Sequence, residues 1–369
     1  ALLDRARGCA VGAAIGDALG MPLEARSPRS LNHLLREMAD GRLPAGSFTD
    51  DTEMALALAE SLLAHRPLDP ADLGRRFVAW ADTGPDDIGV HTYRVLARLR
   101  RGESWDTAAE TVQQGNQASA PNGSLMRCWP VALVHWDDPD ALTHDSVLQS
   151  RVTHAHADCL AACVFANTLI AALLRGTAPA EAVGEALDAV PMPDALRALV
   201  EGAASRRREE LPNSGWVRHT LESALWGLLT TGSFEEALVQ VVNLGGDADS
   251  AGAVAGALGT GLADLYGGYP QFAAISFLVH GLQGWLMGWL IQRRLSTTKA
   301  ILVVIAGGAV VVAGYFLAEV IFYGAAAALS EVLPNTLQGL VGGALGVSLY
   351  LAVKRAYPPI TRYREQERR

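Results

Sequence analysis

Charge is scarce in this chain, cysteine is scarcer, and the alternating pattern of a half-buried β-strand is nearly missing. Only 19% of the 369 residues are charged, against 50% hydrophobic. The first 268 residues have no basic stripe, which argues against a reader of duplex nucleic acid. The four cysteines, Cys9, Cys128, Cys159 and Cys163, lack zinc-ribbon spacing. At this length they are too few for a disulfide framework, so buried reduced thiols are expected. No signal-peptide pattern stands at the start, which opens at Ala1. With alternating runs so few, the expected class is all-α.

What is present is unevenly distributed. Residues 1–268 hold 21 basic against 35 acidic side chains; residues 269–369 hold 9 against 4. An acidic region, 1–268, is therefore joined to a weakly basic and very apolar one. In the acidic region apolar residues recur at helical spacing over 54–63, 72–80, 159–174, 181–189, 195–203, 217–229 and 235–244. Gly/Pro/Asn/Asp clusters such as Thr83-Gly84-Pro85-Asp86 and Ala120-Pro121-Asn122-Gly123 punctuate them. Beyond residue 268, the stretches 269–292, 300–318 and 332–353 carry no formal charge. Each is about long enough to cross a hydrocarbon core of roughly 30 Å, so about three transmembrane helices are expected over 269–356, then a charged tail, 357–369. Arg293, Arg294 and Lys299 fill the first loop, and Lys354, Arg355, Arg362 and Arg364 follow the last span. The positive-inside rule puts both in the cytoplasm, which places the acidic domain outside if all three segments cross. A cytoplasmic acidic domain requires that 269–292 not cross fully.

Two motifs concentrate hard oxygen ligands where helical patterns begin: Thr49-Asp50-Asp51-Thr52 and Gly246-Asp247-Ala248-Asp249-Ser250. Helix capping explains one carboxylate at each place. Adjacent carboxylates repel unless a cation joins them, and an all-oxygen set suits Mg²⁺, Mn²⁺ or Ca²⁺ rather than zinc. Spacing by itself leaves capping and metal binding both open. Other features have plain structural readings. Gly16-Asp17 is either a packing glycine beside a buried carboxylate or part of a site. Of His154 and His156, two residues apart and so on different helix faces, one binding and one surface histidine is expected. Trp80, Trp216 and Trp226 read as core aromatics, Arg206-Arg207-Arg208 with Glu209-Glu210 as a solvated turn, and Ala251 to Ala257 as a close helix-packing run.

Further segments set these motifs in order: Gly12-Ala13-Ala14-Ile15-Gly16-Asp17-Ala18-Leu19-Gly20 with Glu24 shortly after, Gly84-Pro85-Asp86-Asp87-Ile88-Gly89, Asn122-Gly123-Ser124-Leu125-Met126-Arg127, and Thr153-His154-Ala155-His156. The ordered series, over about residues 1–267, closely resembles the ADP-ribosylglycohydrolase family, which includes the hydrolase that reactivates ADP-ribosylated dinitrogenase reductase. The resemblance implies a compact helical hydrolase domain that cleaves an ADP-ribosyl glycosidic bond on a protein or a small molecule. It implies two Mg²⁺ (or Mn²⁺) ions held by Thr49, Asp50, Asp51, Asp247, Asp249 and Ser250, where the family usually has Thr at the last position. It also implies Glu24, and to a smaller extent Asp87, as the proton-moving carboxylates, and Asn122, Gly123, Ser124 and His154 on the ADP-ribose side.

Within 269–356, His280, Gln283, Glu319, Asn335 and Gln338 sit in apolar, glycine-containing surroundings. They are candidate ligand contacts or helix–helix bonds. This region resembles the C-terminal half of the substrate-binding (S) component of energy-coupling-factor vitamin transporters. That implies membrane association and transporter subunits as partners, and an alternative role as a vitamin-binding subunit carrying a passive hydrolase-like domain.

Overall fold

The computed structural model describes residues 2–259 and 306–316, with Val320 and Thr336. Leu2–Gly259 lie in one compact unit and Ala306–Phe316 in another. The first unit is built from α1 (Leu2–Gly20), α2 (Asp50–Ala64), α3 (Pro70–Ala81), α4 (Val90–Arg100), α5 (Trp105–Gly115), α6 (Pro130–Val134) and α7 (Pro139–Arg151), continued by α8 (Ala157–Arg175), α9 (Pro179–Ala189), α10 (Asp194–Gly202), α11 (Val217–Thr230), α12 (Phe234–Val242) and α13 (Ala248–Gly259). Among the described residues there is no strand, only an isolated antiparallel bridge between Pro121 and Trp216. The all-α expectation holds for them.

Local chemistry explains the helix ends. Thr49, Asp69, Asp138, His156 and Ser233 each cap a helix by accepting a backbone N–H in its first turn. Proline opens α3, α6, α7 and α9, where no intrahelical N–H is needed. Gly176, left-handed at φ 99°, ends α8. The seven helical stretches read from periodicity all form helices. Helices α1, α4, α5, α6 and α7 are not among them: α4, α5 and α7 carry many charged and polar residues that dilute the apolar repeat, α1 is rich in small residues, and α6 spans only five residues.

The main core surrounds α8, whose residues Cys159 to Leu174 are almost all buried. It is the one described helix long and apolar enough to cross a membrane, and here it is a core helix. A second cluster joins α2, α3, α4 and α6 through Met54, Leu58, Leu73, Phe77, Leu96 and Val131. All four cysteines are buried free thiols; burial pushes the Cys9 thiol up to about 12.

Among the described residues of this unit the first and last helices, α1 and α13, pack against each other through small residues. Gly12, Gly16 and Gly20 recur every four residues on α1, and Ala248, Gly252 and Gly256 do so on α13. A Cβ on Gly16 would overlap the carbonyl of Gly252, one on Gly20 that of Ala248, and one on Gly256 that of Gly12. Backbone meets backbone, which only glycine permits.

Of the apolar tail, Ala306–Phe316 is a helix inside the expected 300–318 span. The expected spans 269–292 and 332–353 lie outside the described residues, apart from Thr336.

Gly16→Val should lower stability by about 1–3 kcal/mol or more, since the neighbouring backbone cannot yield. Gly184→Ala, whose added methyl meets nothing within 4 Å, should be neutral or raise stability by up to about 1 kcal/mol. Chemical denaturation followed by circular dichroism distinguishes the two; equal effects would show that the α1–α13 contact is not a close one.

Candidate active site

The α1–α13 contact brings the two acidic motifs together. At its heart Asp17, fully buried on α1, accepts from the backbone N–H and hydroxyl of both Thr49 and Thr52 at 2.6–3.1 Å. It therefore fixes the first turn of α2, from which the buried Asp50 and Asp51 reach the cavity. Both earlier readings of Gly16-Asp17 meet here, since the packing glycine and the buried carboxylate together build the site. The second motif is set by Gly245 and Gly246, both left-handed (φ 66° and 62°). A Cβ on Gly246 would overlap the carbonyl of Asn213. Ala25 N–H donates to the Gly246 carbonyl at 2.7 Å and Gly246 N–H to that of Arg26 at 2.9 Å, so the Glu24 turn is stitched to the start of α13.

These elements enclose a cavity of about 460 Å³. Glu24, Asp50, Asp51, Asp87, Asp247, Asp249, Ser250, Asn122, Gly123 and His154 all line it. Thr49 and Ser124 stand behind the wall. Thr49 bonds Asp17 and Asp51, and the Ser124 hydroxyl turns inward to Ser150 at 2.9 Å. Asn122 spans the halves of the site, donating to Asp247 Oδ2 and to the Thr220 hydroxyl, each at 2.7 Å. The Ser250 hydroxyl faces the Met126 sulfur at 3.7 Å. His154 and His156 lie on no helix face but in the segment between α7 and α8, where His156 caps α8 and His154 lines the cavity.

Six carboxylates in so small a space are electrostatically costly. Burial first, then Asp17 and Asp249, holds the Asp51 carboxyl well above the usual carboxylate range. Burial and Asp87 do the same for Asp50; burial and Asp247 for Asp249. Glu24, half-buried, is raised by burial and Asp87. Asp51 Oδ1 is buried with no hydrogen-bond partner. The counter-charge is Arg42, which had no motif to mark it. Its guanidinium contacts Glu24 at 2.8 Å, Asp249 at 3.1 Å and Asp87 closely. Burial opposes its charge, but Asp87, Glu24 and Asp249 outweigh burial and raise its pKa. Single carboxylate oxygens of Glu24, Asp87 and Asp249 lie within 4.8 Å of one another, close enough to share one cation.

Trp216 departs from the core role expected of it. It is 38% exposed, while Trp80 and Trp226 are buried. Its preceding residues Asn213, Ser214 and Gly215 line the cavity. The Arg218 guanidinium lies 5.0 Å from its ring and His219 meets it edge-on. A partly exposed aromatic side chain thus directly follows residues that line the cavity.

Comparison with known proteins shows the family. The family description ADP-ribosylglycohydrolase matches residues 1–263, and ECF-type riboflavin transporter, S component, matches 248–355. The ADP-ribosylarginine hydrolase Tri1 of Pseudomonas putida (strain GB-1) is 34% identical over 283 residues, covering 73% of this chain and 73% of that protein. The ADP-ribosyl-(dinitrogen reductase) glycohydrolase of Rhodospirillum rubrum is 34% identical, covering 69% and 84%. A solved structure described as an ADP-ribosylglycohydrolase-related protein complex superposes with a TM-score of 0.61 at 38% identity, covering 71% of this chain and 88% of that one.

Asp51, charged and buried without a full set of partners, costs the folded state stability where it is ionised. Its folded pKa is raised, so the folded protein binds the proton more readily than the unfolded chain, and stability falls as pH rises through the raised value. In chelator at pH 8, Asp51→Asn should therefore melt above the parent, by roughly 2–4 °C for each kcal/mol relieved. The advantage should shrink as pH falls toward the ordinary carboxylate range near 4. A pH-independent difference would remove the electrostatic account.

Proposed function

Since the chain belongs to the ADP-ribosylglycohydrolase family and is a hydrolase of ADP-ribosyl glycosidic bonds, we propose that this cavity cleaves the N-glycosidic bond between ADP-ribose and an arginine guanidinium, with divalent cations held by the two acidic motifs. The observation that carries this reading is the convergence of Asp50, Asp51, Asp247 and Asp249 with Glu24, Asp87 and the Asn122-Gly123 turn on one cavity. The arginine linkage has two supports. Relatives bear the name ADP-ribosylarginine hydrolase, and Glu24, Asp87 and Asp249 hold a guanidinium, that of Arg42.

The donor set fits hard cations. It is all oxygen, crowded with like charge, and includes the orphaned Asp51 Oδ1. Asp50, Asp51, Asp247 and Asp249 would be direct ligands from the wall; Thr49 and Ser250 would add hydroxyls. Mg²⁺ or Mn²⁺, two ions by the family resemblance, would polarise the ribose oxygens and the attacking water. Glu24, raised in pKa by its surroundings, is the base that takes a proton from water as the water oxygen bonds to the anomeric carbon. The carbon–nitrogen bond breaks, and the leaving guanidine takes up the proton. Asp87 orients the departing guanidinium. Asn122 and Gly123 line the side for the ADP-ribose phosphates, and Trp216 offers a stacking face for adenine.

The match over 248–355 supports a membrane-associated tail. We take residues 1–268 as the hydrolase domain and 269–356 as that tail, with the hydrolase in the cytoplasm. Energy-coupling-factor subunits would be partners of the tail.

Release of ADP-ribose from an ADP-ribosylated arginine peptide tests the proposal. Turnover should require Mg²⁺ or Mn²⁺ and vanish with Asp249→Ala, and Glu24→Gln should lower kcat by about 10²–10⁴. Full activity of either variant, or cleavage of a serine-linked peptide alone, would overturn it. Trp216→Ala should weaken ADP-ribose binding by roughly 5- to 150-fold, the worth of one stacked base; calorimetric titration measures this.

A further inference from the structure

A chain of buried polar groups runs behind the cavity wall from Arg127 through Thr153 to His154, and the hydrolysis proposed above gives Arg127 and Thr153 no role. Arg127 is fully buried, its guanidinium 4.3 Å over the Phe77 ring. It donates to the Gln149 carbonyl at 3.0 Å, to the Gln149 side-chain oxygen at 3.3 Å and to the Thr153 hydroxyl at 2.7 Å. Burial pulls its pKa down to about 10, which still leaves it a cation at neutral pH and therefore a donor only.

The next link follows from proton counting. Thr153, also fully buried, accepts from Arg127 and lies 2.7 Å from His154 Nδ1. A hydroxyl has one proton to give. If Thr153 gives it to Nδ1, the Thr153 hydroxyl and Nδ1 are both satisfied, and the imidazole proton sits on Nε2, the one group left for a partner in the cavity. If Nδ1 carried the proton instead, the Thr153 hydroxyl proton would be stranded inside the wall, where no ligand can meet it, and Nε2 would be a buried acceptor without a donor. Burial, with His91 and Arg127 nearby, keeps the His154 ring neutral. Its backbone is pinned to Ser150 in both directions, and His91 donates from Nε2 to the Thr153 carbonyl at 2.9 Å with its ring 4.7 Å from that of His154.

The far end of the chain is open. His154 Nε2 is buried with no hydrogen-bond partner. It lies against Gly123, where an added Cβ would come within 3.0 Å of it, and both residues line the cavity. We propose that Arg127 and Thr153 are positioning residues that lock His154 as the Nε2–H tautomer, so that the cavity offers a fixed donor beside Gly123 for an acceptor oxygen of the ligand. Resting on the ADP-ribose reading, this assigns His154 to a phosphate or ribose oxygen and makes the position unfavourable to a group that can only donate.

The test uses the full chain with ¹⁵N-labelled histidine. Long-range ¹⁵N–¹H correlation reads the tautomer without ligand, with His154→Asn to assign the signals; ADP-ribose titration follows. The parent and Thr153→Ser should show Nε2–H. Thr153→Val, which keeps the shape and removes the hydroxyl, should lose the single tautomer and bind ADP-ribose about three- to tenfold more weakly, the worth of one hydrogen bond; Thr153→Ser should restore both. Nδ1–H in the parent overturns the inference whatever binds. An unchanged tautomer in Thr153→Val, or an unchanged affinity where the parent binds ADP-ribose, does so too. An Nε2–H parent and a shifted Thr153→Val, with ADP-ribose binding to neither, would uphold the lock and sink the ADP-ribose reading instead.

Discussion

The close contact of α1 with α13 is the constraint on which the rest of the domain depends. It joins the first described helix to the last one of the hydrolase unit, and it does so at a separation only glycine allows. Asp17 follows Gly16 on α1, and Asp249 and Ser250 precede Gly252 on α13. The contact therefore sets the distance between the two acidic motifs. Asp17 transmits it to α2 through its bonds to Thr49 and Thr52. A wider spacing of the two helices would pull the carboxylates apart and leave two ordinary helix caps.

Bringing the carboxylates together has an electrostatic cost that the fold meets in parts. Asp17 receives four donor groups and is fully bonded. Asp247 receives Asn122. Glu24, Asp87 and Asp249 share the Arg42 guanidinium. Asp51 keeps an oxygen without a partner. A site so arranged is matched to cationic ligands, both a divalent ion and a guanidinium, since each supplies the charge that the wall lacks. On the opposite side the groups are neutral donors and small residues, Asn122, Gly123 and His154, suited to the oxygens of a sugar or phosphate. The division of the cavity into an anionic and a donor half follows from which helix ends and turns meet there.

Most of the fold class and much of the site were legible beforehand. The helices α2, α3 and α8 to α12 announce themselves by apolar spacing. The acidic motifs stand out because adjacent carboxylates are rarely left without a purpose. Arg42 was illegible, since a lone arginine in a loop between two short 3₁₀ turns and α2 carries no spacing signal, and only folding places it among Glu24, Asp87 and Asp249. Trp216 was misread as core because its apolar neighbours Val217 and Leu221 are indeed buried, and the exposure of one position at a helix start does not show in a periodic pattern. Ser124 fell in the right turn, but its hydroxyl turns toward Ser150.

By itself, then, the sequence determined the helical class, the acidic character of the first 268 residues, the apolar tail and the identity of the motif residues. These depend on local spacing and composition, which a single strand of text preserves. The tertiary structure alone decided that the two motifs share one cavity, that Asp17 and the α1–α13 glycines hold them there, that Arg42 is their counter-charge, and that His154 lies against Gly123 on that cavity. Each of these is a relation between residues tens to hundreds of positions apart, fixed by backbone approach and hydrogen-bond direction.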